Sequence, residues 1–333
     1  MSPPLLELRD VRVHFPVRGR RARRAGAVVK AVDGVSFILE EGRTLGVVGE
    51  SGCGKSTLAR TLLRLVPVTG GDVLWNGRDV RGFDDRTMRE LRRDVRMVFQ
   101  DPLASLNPRM TVGELVREPL DLFVPELDER AKRNAVAAMF ERVGLRADLV
   151  ERYPHEFSGG QCQRVNIARA LIGRPKLLIC DESVSALDVS IRAQILNLLI
   201  DLQAETGVAC LFISHDLSVI RQISERVLVL YLGKMMECRE AEALFATPSH
   251  PYTTALLAAA PVPDPLIERN RPRATLGGDL PSPIDPPSGC VFRTRCPESG
   301  PRCAIVEPAR KAIDGGEVAC HLRPPSQSIQ ERP

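Results

Sequence analysis

No stretch of the 333-residue chain reaches the run of about 18 apolar residues that a bilayer-spanning helix needs. That absence excludes a spanning subunit, so any membrane is expected to be met from its surface and with partners. The start, Met1-Ser2-Pro3-Pro4, lacks a charged segment followed by an apolar core. No signal peptide is therefore expected, and the predicted compartment is the cytoplasm. Internal repeats and low-complexity tracts are missing too, which excludes repeat arrays. No strong charge of one sign is present: 46 Lys and Arg stand against 42 Asp and Glu, a net +4. Much of that excess lies in one run, Arg18-Gly19-Arg20-Arg21-Ala22-Arg23-Arg24. Such a run is either a solvated loop between strands or a patch for nucleic acid or lipid headgroups. Among nine cysteines there is no close C-x-x-C pair.

What the chain does have is Gly49-Glu50-Ser51-Gly52-Cys53-Gly54-Lys55-Ser56-Thr57. Its first eight residues match the phosphate-loop pattern G-x-x-x-x-G-K-[ST]. The glycines let the backbone curl so that its N–H groups face phosphate oxygens. Lys55 supplies charge for the β- and γ-phosphates, and Ser56 offers a hydroxyl to Mg²⁺. Thr44–Val48 reads as a buried strand before the loop, and 56–65 as a helix after it whose positive N-terminus faces the anion.

The rest of the chain frames this loop. Residues 6–15 alternate as a half-buried strand, and 28–32 and 35–39 read as two more. Val73-Leu74-Trp75 enters a tight turn at Asn76-Gly77. Helical patterns cover 84–94, 112–117, 129–143 and 160–172, with a short strand at 95–99. Strands at 176–180 and 208–213 then alternate with helices at 190–206 and 217–224, the pattern of a parallel sheet with crossover helices. Residues 227–230 and 234–237 read as an antiparallel pair around Gly233, and 255–260 as a helix. Pro261, Pro263 and Pro265 mark a composition break, after which the tail is loop-rich and too short for a large core of its own.

The strand 176–180 runs into Asp181-Glu182. A hydrophobic strand ending in Asp is the expected second half of a Mg²⁺–nucleotide site, with Asp181 for the metal and Glu182 placed to polarise water. Phe157-Ser158-Gly159-Gly160-Gln161 supplies a second anion-binding helix start. Together these segments resemble the motifs of ABC-type ATPases, over about residues 5–255. The resemblance implies an α/β fold: a P-loop ABC ATPase with a RecA-like core, an antiparallel β subdomain and an α-helical signature subdomain at about 101–172. It implies that Ser158, Gly159, Gly160 and Gln161 close on the γ-phosphate of an opposite subunit. Gln100 matches the glutamine that senses Mg²⁺ and water, and His215 the histidine that contacts the γ-phosphate. Ser185-Ala186-Leu187-Asp188 resembles the loop that crosses the dimer interface. Phe15 aligns with the aromatic that stacks on adenine, although the basic loop lengthens the usual spacing and a core Phe is the alternative. Phe157 stands where leucine is commoner.

The gap between Gln100 and Ser158 is too short for the long coiled coil of DNA-repair relatives, and one cassette per chain departs from the translation-type proteins. A transport motor is the expected class, with no nucleic acid as partner. The tail, with His250-Pro251-Tyr252-Thr253, Leu276-Gly277-Gly278 and Gly289-Cys290-Val291-Phe292, resembles the C-terminal extension of ATPases from bacterial dipeptide, oligopeptide and nickel importers. The long N-terminal loop looks most like their second, or F, subunit. The division expected is 1–261 for the ABC domain and 262–333 for the extension. ATP and Mg²⁺ are the implied cofactors. A second, homologous ATPase, two transmembrane permeases and an extracytoplasmic binding protein are the implied partners, at the cytoplasmic face of the inner membrane. Asp101–Pro108 follows Gln100 as a Pro-bounded loop with two candidate exposed leucines, Leu103 and Leu106, where the family docks its membrane subunit. Cys290, Cys296, Cys303 and Cys320 are separated by five, six and sixteen residues. Four thiolates suit a structural zinc or an iron–sulfur cluster, with four free thiols in a docking tail as the alternative. The spacing suits the larger object, and the resemblance implies [4Fe–4S].

Overall fold

The computed structural model describes residues 3–17, 27–185, 187–260 and 277–323. The basic run 18–24 lies outside them, as does Ala186. The chain divides into two compact units. The first comprises 1–38, 45–81 and 215–333, and the second 39–44 and 82–214. Among the described residues no helix is long and apolar enough to cross a membrane.

The first unit opens with β1 (Leu6–Pro16) and β2 (Val28–Leu39). They share an antiparallel sheet of order β2-β1-β4-β5 with β4 (Gly70–Trp75) and β5 (Arg78–Asp79). Residues 28–39 form one strand where the sequence suggests two. Buried Val32 is followed three residues later by buried Val35, and Gly34 at φ 87° absorbs the extra residue without ending the strand. The turn from β4 to β5 uses Asn76 and Gly77, both at positive φ, as a two-residue hairpin requires.

The other strands of this unit run in the order β11-β12-β10-β9-β3. β3 (Thr44–Val48) is buried at all five positions and pairs parallel with β9 (Arg226–Tyr231), Val47 opposite Leu228. Burial on both faces explains its unbroken apolar run. α1 (Lys55–Leu62) follows the phosphate loop and stops three residues short of the expected end, since Arg64 takes φ 52°. After α7 (Leu217–Ile223) and β9, Leu232-Gly233 turns the chain antiparallel into β10 (Lys234–Glu240). α8 (Ala241–Ala246) and α9 (Pro251–Ala259) complete this part. α9 begins four residues earlier than expected: Pro251 occupies the first helical position, and His250 Nδ1 accepts the Tyr252 N–H at 3.0 Å as the cap.

The tail holds more regular structure than its composition suggests, because it borrows a sheet. α10 (Pro301–Ile305), β11 (Lys311–Ile313) and β12 (Gly316–Val318) lie in it, and β12 pairs antiparallel with β10. A side chain at Gly316 would overlap the Cys238 carbonyl, so only glycine permits this approach. Phe292 of the tail is fully buried against Tyr231 and Tyr252, with ring centroids 5.3 and 5.2 Å away. Those two tyrosines are themselves 4.7 Å apart. Such a trio contributes about 0.5–1.5 kcal/mol per pair beyond its buried area.

In the second unit α2 (Asp85–Asp94), capped by Asp84, leads into β6 (Val95–Val98). β6, β7 (Leu177–Asp181) and β8 (Ala209–Ile213) pair parallel in that order. Between them come α3 (Val112–Phe123), α4 (Glu129–Arg142), α5 (Gly159–Leu171) and α6 (Val189–Thr206). α3 runs six residues past its expected end, through Pro119. The Thr111–Glu114 capping box fixes its start, and Leu115, Val116, Pro119 and Leu120 form one buried stripe. Burial of that stripe outweighs the lost hydrogen bond.

Candidate active site

In the first unit the phosphate loop joins β3 to α1. A side chain at Gly54 (φ 106°) would overlap the Ala31 carbonyl oxygen, and one at Gly49 the Leu230 carbonyl oxygen. Both positions therefore need glycine on steric as well as conformational grounds. Lys55 is 4% exposed, and its Nζ donates to the Gly49 carbonyl at 2.8 Å and the Glu50 carbonyl at 3.1 Å. The ammonium is thereby arched over the loop it serves. Cys53 Sγ lies 3.9 Å from that ammonium, and burial pushes its thiol above the usual range despite the nearby charge. Ser56 and Thr57 fall in the first turn of α1, whose first-turn amides face the loop. Ser51 and Gly52 form the exposed tip. Phe15, near the end of β1, is 38% exposed, so it is an available stacking face and no core residue. His215 follows in the same unit, exposed just ahead of α7.

The second unit carries the acidic pair and the signature. Asp181 ends β7, opposite Ile213 of β8, and is 2% exposed. Glu182 leaves the strand at φ 47°, a left-handed conformation that non-glycine residues rarely adopt. Its N–H donates to the Ile213 carbonyl at 3.0 Å, and its own carbonyl accepts from Ser185 Oγ at 2.8 Å. The turn aims the half-buried carboxylate at Gln100, whose Nε2 donates to Glu182 Oε2 at 3.1 Å. Strain held by surrounding hydrogen bonds is common where a side chain must be aimed. Two residues 82 apart, each singled out on its own motif, thus meet.

Ser158 caps α5. Its Oγ accepts the Gln161 N–H at 3.3 Å, and Gln161 Oε1 accepts the Ser158 N–H at 2.9 Å. This reciprocal box spends the side chains of Ser158 and Gln161 on the backbone and orients the first-turn amides. Gly159 has open space where a side chain would lie, whereas at Gly160 a Cβ would come 2.6 Å from Ile191 Cγ2 of α6. Phe157 is 9% exposed and fills the apolar position before the cap. Of the loop leucines, Leu103 is 51% exposed but Leu106 only 3%. Leu106 is therefore a core residue, and of the two candidate exposed leucines only Leu103 is exposed. Below this loop Asn166 Nδ2 donates to the Pro102 carbonyl at 2.9 Å, and Arg169, paired with Glu118, donates to the Ser105 carbonyl at 3.0 Å.

The expected metal centre in the tail is not found as such: among the described residues no group of three or more His, Cys, Asp or Glu is placed to hold a metal ion. Cys290, Cys303 and Cys320 are buried, and Cys296 is half-buried. Different elements carry them, Cys303 on α10 and Cys320 beyond β12, and the Cys290 N–H donates to the Cys303 carbonyl at 2.8 Å. The thiols do share one neighbourhood. Burial first, and then Cys303, Cys296 and Cys320, push the Cys290 thiol up to about 11.

Two residues to which no motif assigns a role at the nucleotide site also reach the phosphate loop. Tyr252 Oη accepts the Glu50 N–H at 3.0 Å, and Arg295 pairs with the Glu50 carboxylate at 2.9 Å. They lie 202 and 245 residues away in the chain, beyond any local pattern.

Comparison with known proteins agrees with this geometry. Residues 32–185 match the family described as "ABC transporter", and 236–303 the family "Oligopeptide/dipeptide transporter, C-terminal region". The oligopeptide transport ATP-binding protein OppF of Salmonella typhimurium is 55% identical over 95% of both chains. The di/tripeptide transport ATP-binding protein DppF of Pseudomonas aeruginosa is 48% identical over 95% of this chain and 97% of that one. A solved dimeric ATP-binding cassette, in a post-hydrolysis state with ADP and Pi, superposes with TM-score 0.63 at 28% identity, covering 71% of this chain and 98% of its own.

Proposed function

We propose, for a chain that belongs to the ABC transporter ATP-binding proteins, that it is the ATP-hydrolysing motor subunit of a bacterial peptide importer. One observation carries the reading: a complete phosphate loop, a complete signature and the oligopeptide-transporter C-terminal region occur in one polypeptide. The residues fit ATP. The Gly49 and Gly54 cradle leaves no room for side chains, and Lys55 is held at its mouth. Lys55 and the loop amides neutralise the phosphates, with Ser56 and Asp181 as the ligands for Mg²⁺ and Gln100 beside the attacking water. Glu182 takes the proton of that water, and Gln100 holds its carboxylate in place beforehand. Mg²⁺ supplies charge stabilisation to the transferring phosphoryl group. His215 contributes a γ-phosphate contact and Phe15 a face for the adenine.

The capped helix start at Ser158–Gln161 offers its first-turn amides to an anion. We assign its anion to ATP held by a second, homologous ATPase in a head-to-tail pair, a reading supported by the dimeric state of the solved relative. Two permease subunits and an extracytoplasmic binding protein complete the assembly, which places the chain at the cytoplasmic face of the inner membrane. Residues 262–333 are assigned as the importer-type extension to the 1–261 cassette. Its four cysteines are assigned to a [4Fe–4S] cluster in preference to zinc. The mutual influence of the four thiols supports a thiolate-bound group, and their spacing of five, six and sixteen residues favours the larger cluster. Bound there, the cluster supplies a crosslink for a tail with little core of its own.

The experiment is reconstitution of the chain with its neighbouring-gene subunits in vesicles. ATP-dependent uptake of labelled di- or oligopeptide is expected. Uptake of nickel and no peptide would replace the substrate assignment, and ATPase activity without uptake of either would overturn the transport reading.

A further inference from the structure

Glu50, the second residue of the phosphate loop, has its carboxylate held by a residue from outside the nucleotide motifs. Arg295 Nη1 lies 3.0 and 2.9 Å from the two oxygens of its carboxylate. The Arg295 side chain is only 7% exposed. It is itself aimed by the Gly277 carbonyl, which accepts from Nε at 3.2 Å, and by Tyr231 Oη, 3.4 Å from Nη1. On the backbone of the same residue, the Glu50 N–H donates to Tyr252 Oη and the Glu50 carbonyl accepts from Lys55 Nζ. Phe292, three residues before Arg295, locks the segment against Tyr231 and Tyr252.

A carboxylate beside a site for a triphosphate opposes the ligand by simple Coulomb repulsion, the more so where water is partly excluded. A buried guanidinium on that carboxylate cancels the repulsion and fixes the side chain in one geometry. The geometry points to Arg295 and Tyr252 as positioning residues of the nucleotide site: through Arg295 the C-terminal extension neutralises Glu50, and with Tyr252 of α9 it holds the phosphate loop ready for ATP. This rests on the ATP reading above and adds that the extension is part of the nucleotide site. The tail therefore governs ATP affinity as well as its own docking.

The test uses the full chain, titrated with a fluorescent ATP analogue, alongside thermal melts and the kinetics of the assembled complex. Arg295→Met is expected to weaken binding by about three- to tenfold, one uncompensated charge near the ligand. It should raise KM for ATP by a similar factor and leave kcat within about twofold. Arg295→Lys should restore most of the affinity. The double variant Glu50→Gln/Arg295→Met should also recover affinity over Arg295→Met, because the carboxylate to be neutralised is gone. That recovery separates the inference from a merely structural role: if Arg295 only holds the fold, the double variant melts low and binds as weakly as the single one. Equal affinity in wild type and Arg295→Met, or no recovery in the double variant, overturns the inference. A wild-type chain that binds no ATP overturns instead the nucleotide-site reading on which it stands.

Discussion

Gln100 and Glu182 are joined by a 3.1 Å hydrogen bond from side-chain amide to carboxylate, and the glutamate holds its aim from a left-handed backbone at φ 47°. On the roles proposed above, metal binding at Asp181 and proton abstraction at Glu182 are separable tasks of adjacent residues. Glu182→Gln keeps the length and the hydrogen bond but loses the base. Turnover in the assembled complex should fall by roughly a hundredfold or more, with ATP binding retained. Gln100→Ala leaves the base in place but frees its orientation, and a loss on the order of tenfold is expected. Steady-state ATPase rates, with nucleotide affinity measured on the same preparations, check both.

The loop after Gln100 separates two leucines of equal chemistry by burial alone. Leu106, 3% exposed, is a core residue, and a charge there should cost several kcal/mol and lower the melting temperature sharply. Leu103, 51% exposed, should tolerate Asp with a melting temperature within a degree or two of wild type. If this loop meets the permease, Leu103→Asp should still depress peptide uptake per ATP hydrolysed. Melting curves and coupled transport assays on the two variants give opposite patterns.

Gly159 and Gly160 differ in a way the signature pattern does not reveal. An added methyl at Gly159 meets nothing within 4 Å, whereas at Gly160 it meets the stiff β-branched Ile191. Gly160→Ala should cost about 1–3 kcal/mol through overpacking, read as a lower denaturation midpoint. Gly159→Ala should leave that midpoint nearly unchanged and act only where the signature meets its anion, as lower ATPase activity of the assembled pair.

These contrasts show what was legible in the residue order. The phosphate loop, the Ser158–Gln161 cap and the Asp181-Glu182 strand end are local devices, each written in residues a few positions apart, and their types and spacing sufficed. The parallel core strands announced themselves as continuous apolar runs. Leu106 and the continuation of α3 through Pro119 depend on what packs against them, which local pattern does not encode. Arg295 reaches Glu50 from a tail that β10 draws onto the sheet through β12, and Tyr252 reaches it from α9. A separation of 245 residues leaves no periodic trace.

His250 offers a pH test of that tail interface. It is 1% exposed, and burial, with Arg323 nearby, depresses its imidazolium to about 3 from an ordinary 6.5. The unfolded chain therefore binds a proton that the folded chain refuses between these values. The associated stability is complete above about pH 6.5 and is lost as pH falls toward 3, at up to about 1.4 kcal/mol per unit. His250→Asn preserves a cap for α9 without the titration. Urea midpoints measured from pH 7 to pH 5 should fall more steeply for wild type than for this variant. Parallel slopes would show that His250 does not set the acid sensitivity.

The four tail cysteines give the last prediction. Burial and three neighbouring thiols make deprotonation of Cys290 costly, up to about 11. A bound cation reverses that logic, because a metal-bound thiol is deprotonated outright. The cluster assigned above should thus be a large part of what folds residues 277–323, a segment whose own elements are a five-residue helix and two three-residue strands. Chain purified without oxygen should be brown and carry about four irons with matching acid-labile sulfide. Cys296→Ser should lose that iron and lower the melting temperature. The tail also supplies Arg295 to the phosphate loop, so the same variant should weaken ATP binding and leave the Gln100–Glu182 pair untouched. One zinc per chain without iron would give the thiols a structural zinc in place of the cluster, and a chain free of both metals would leave them as packing groups. In either case ATP affinity in Cys296→Ser would still report whether the tail's fold, and not its metal, holds Arg295 against Glu50.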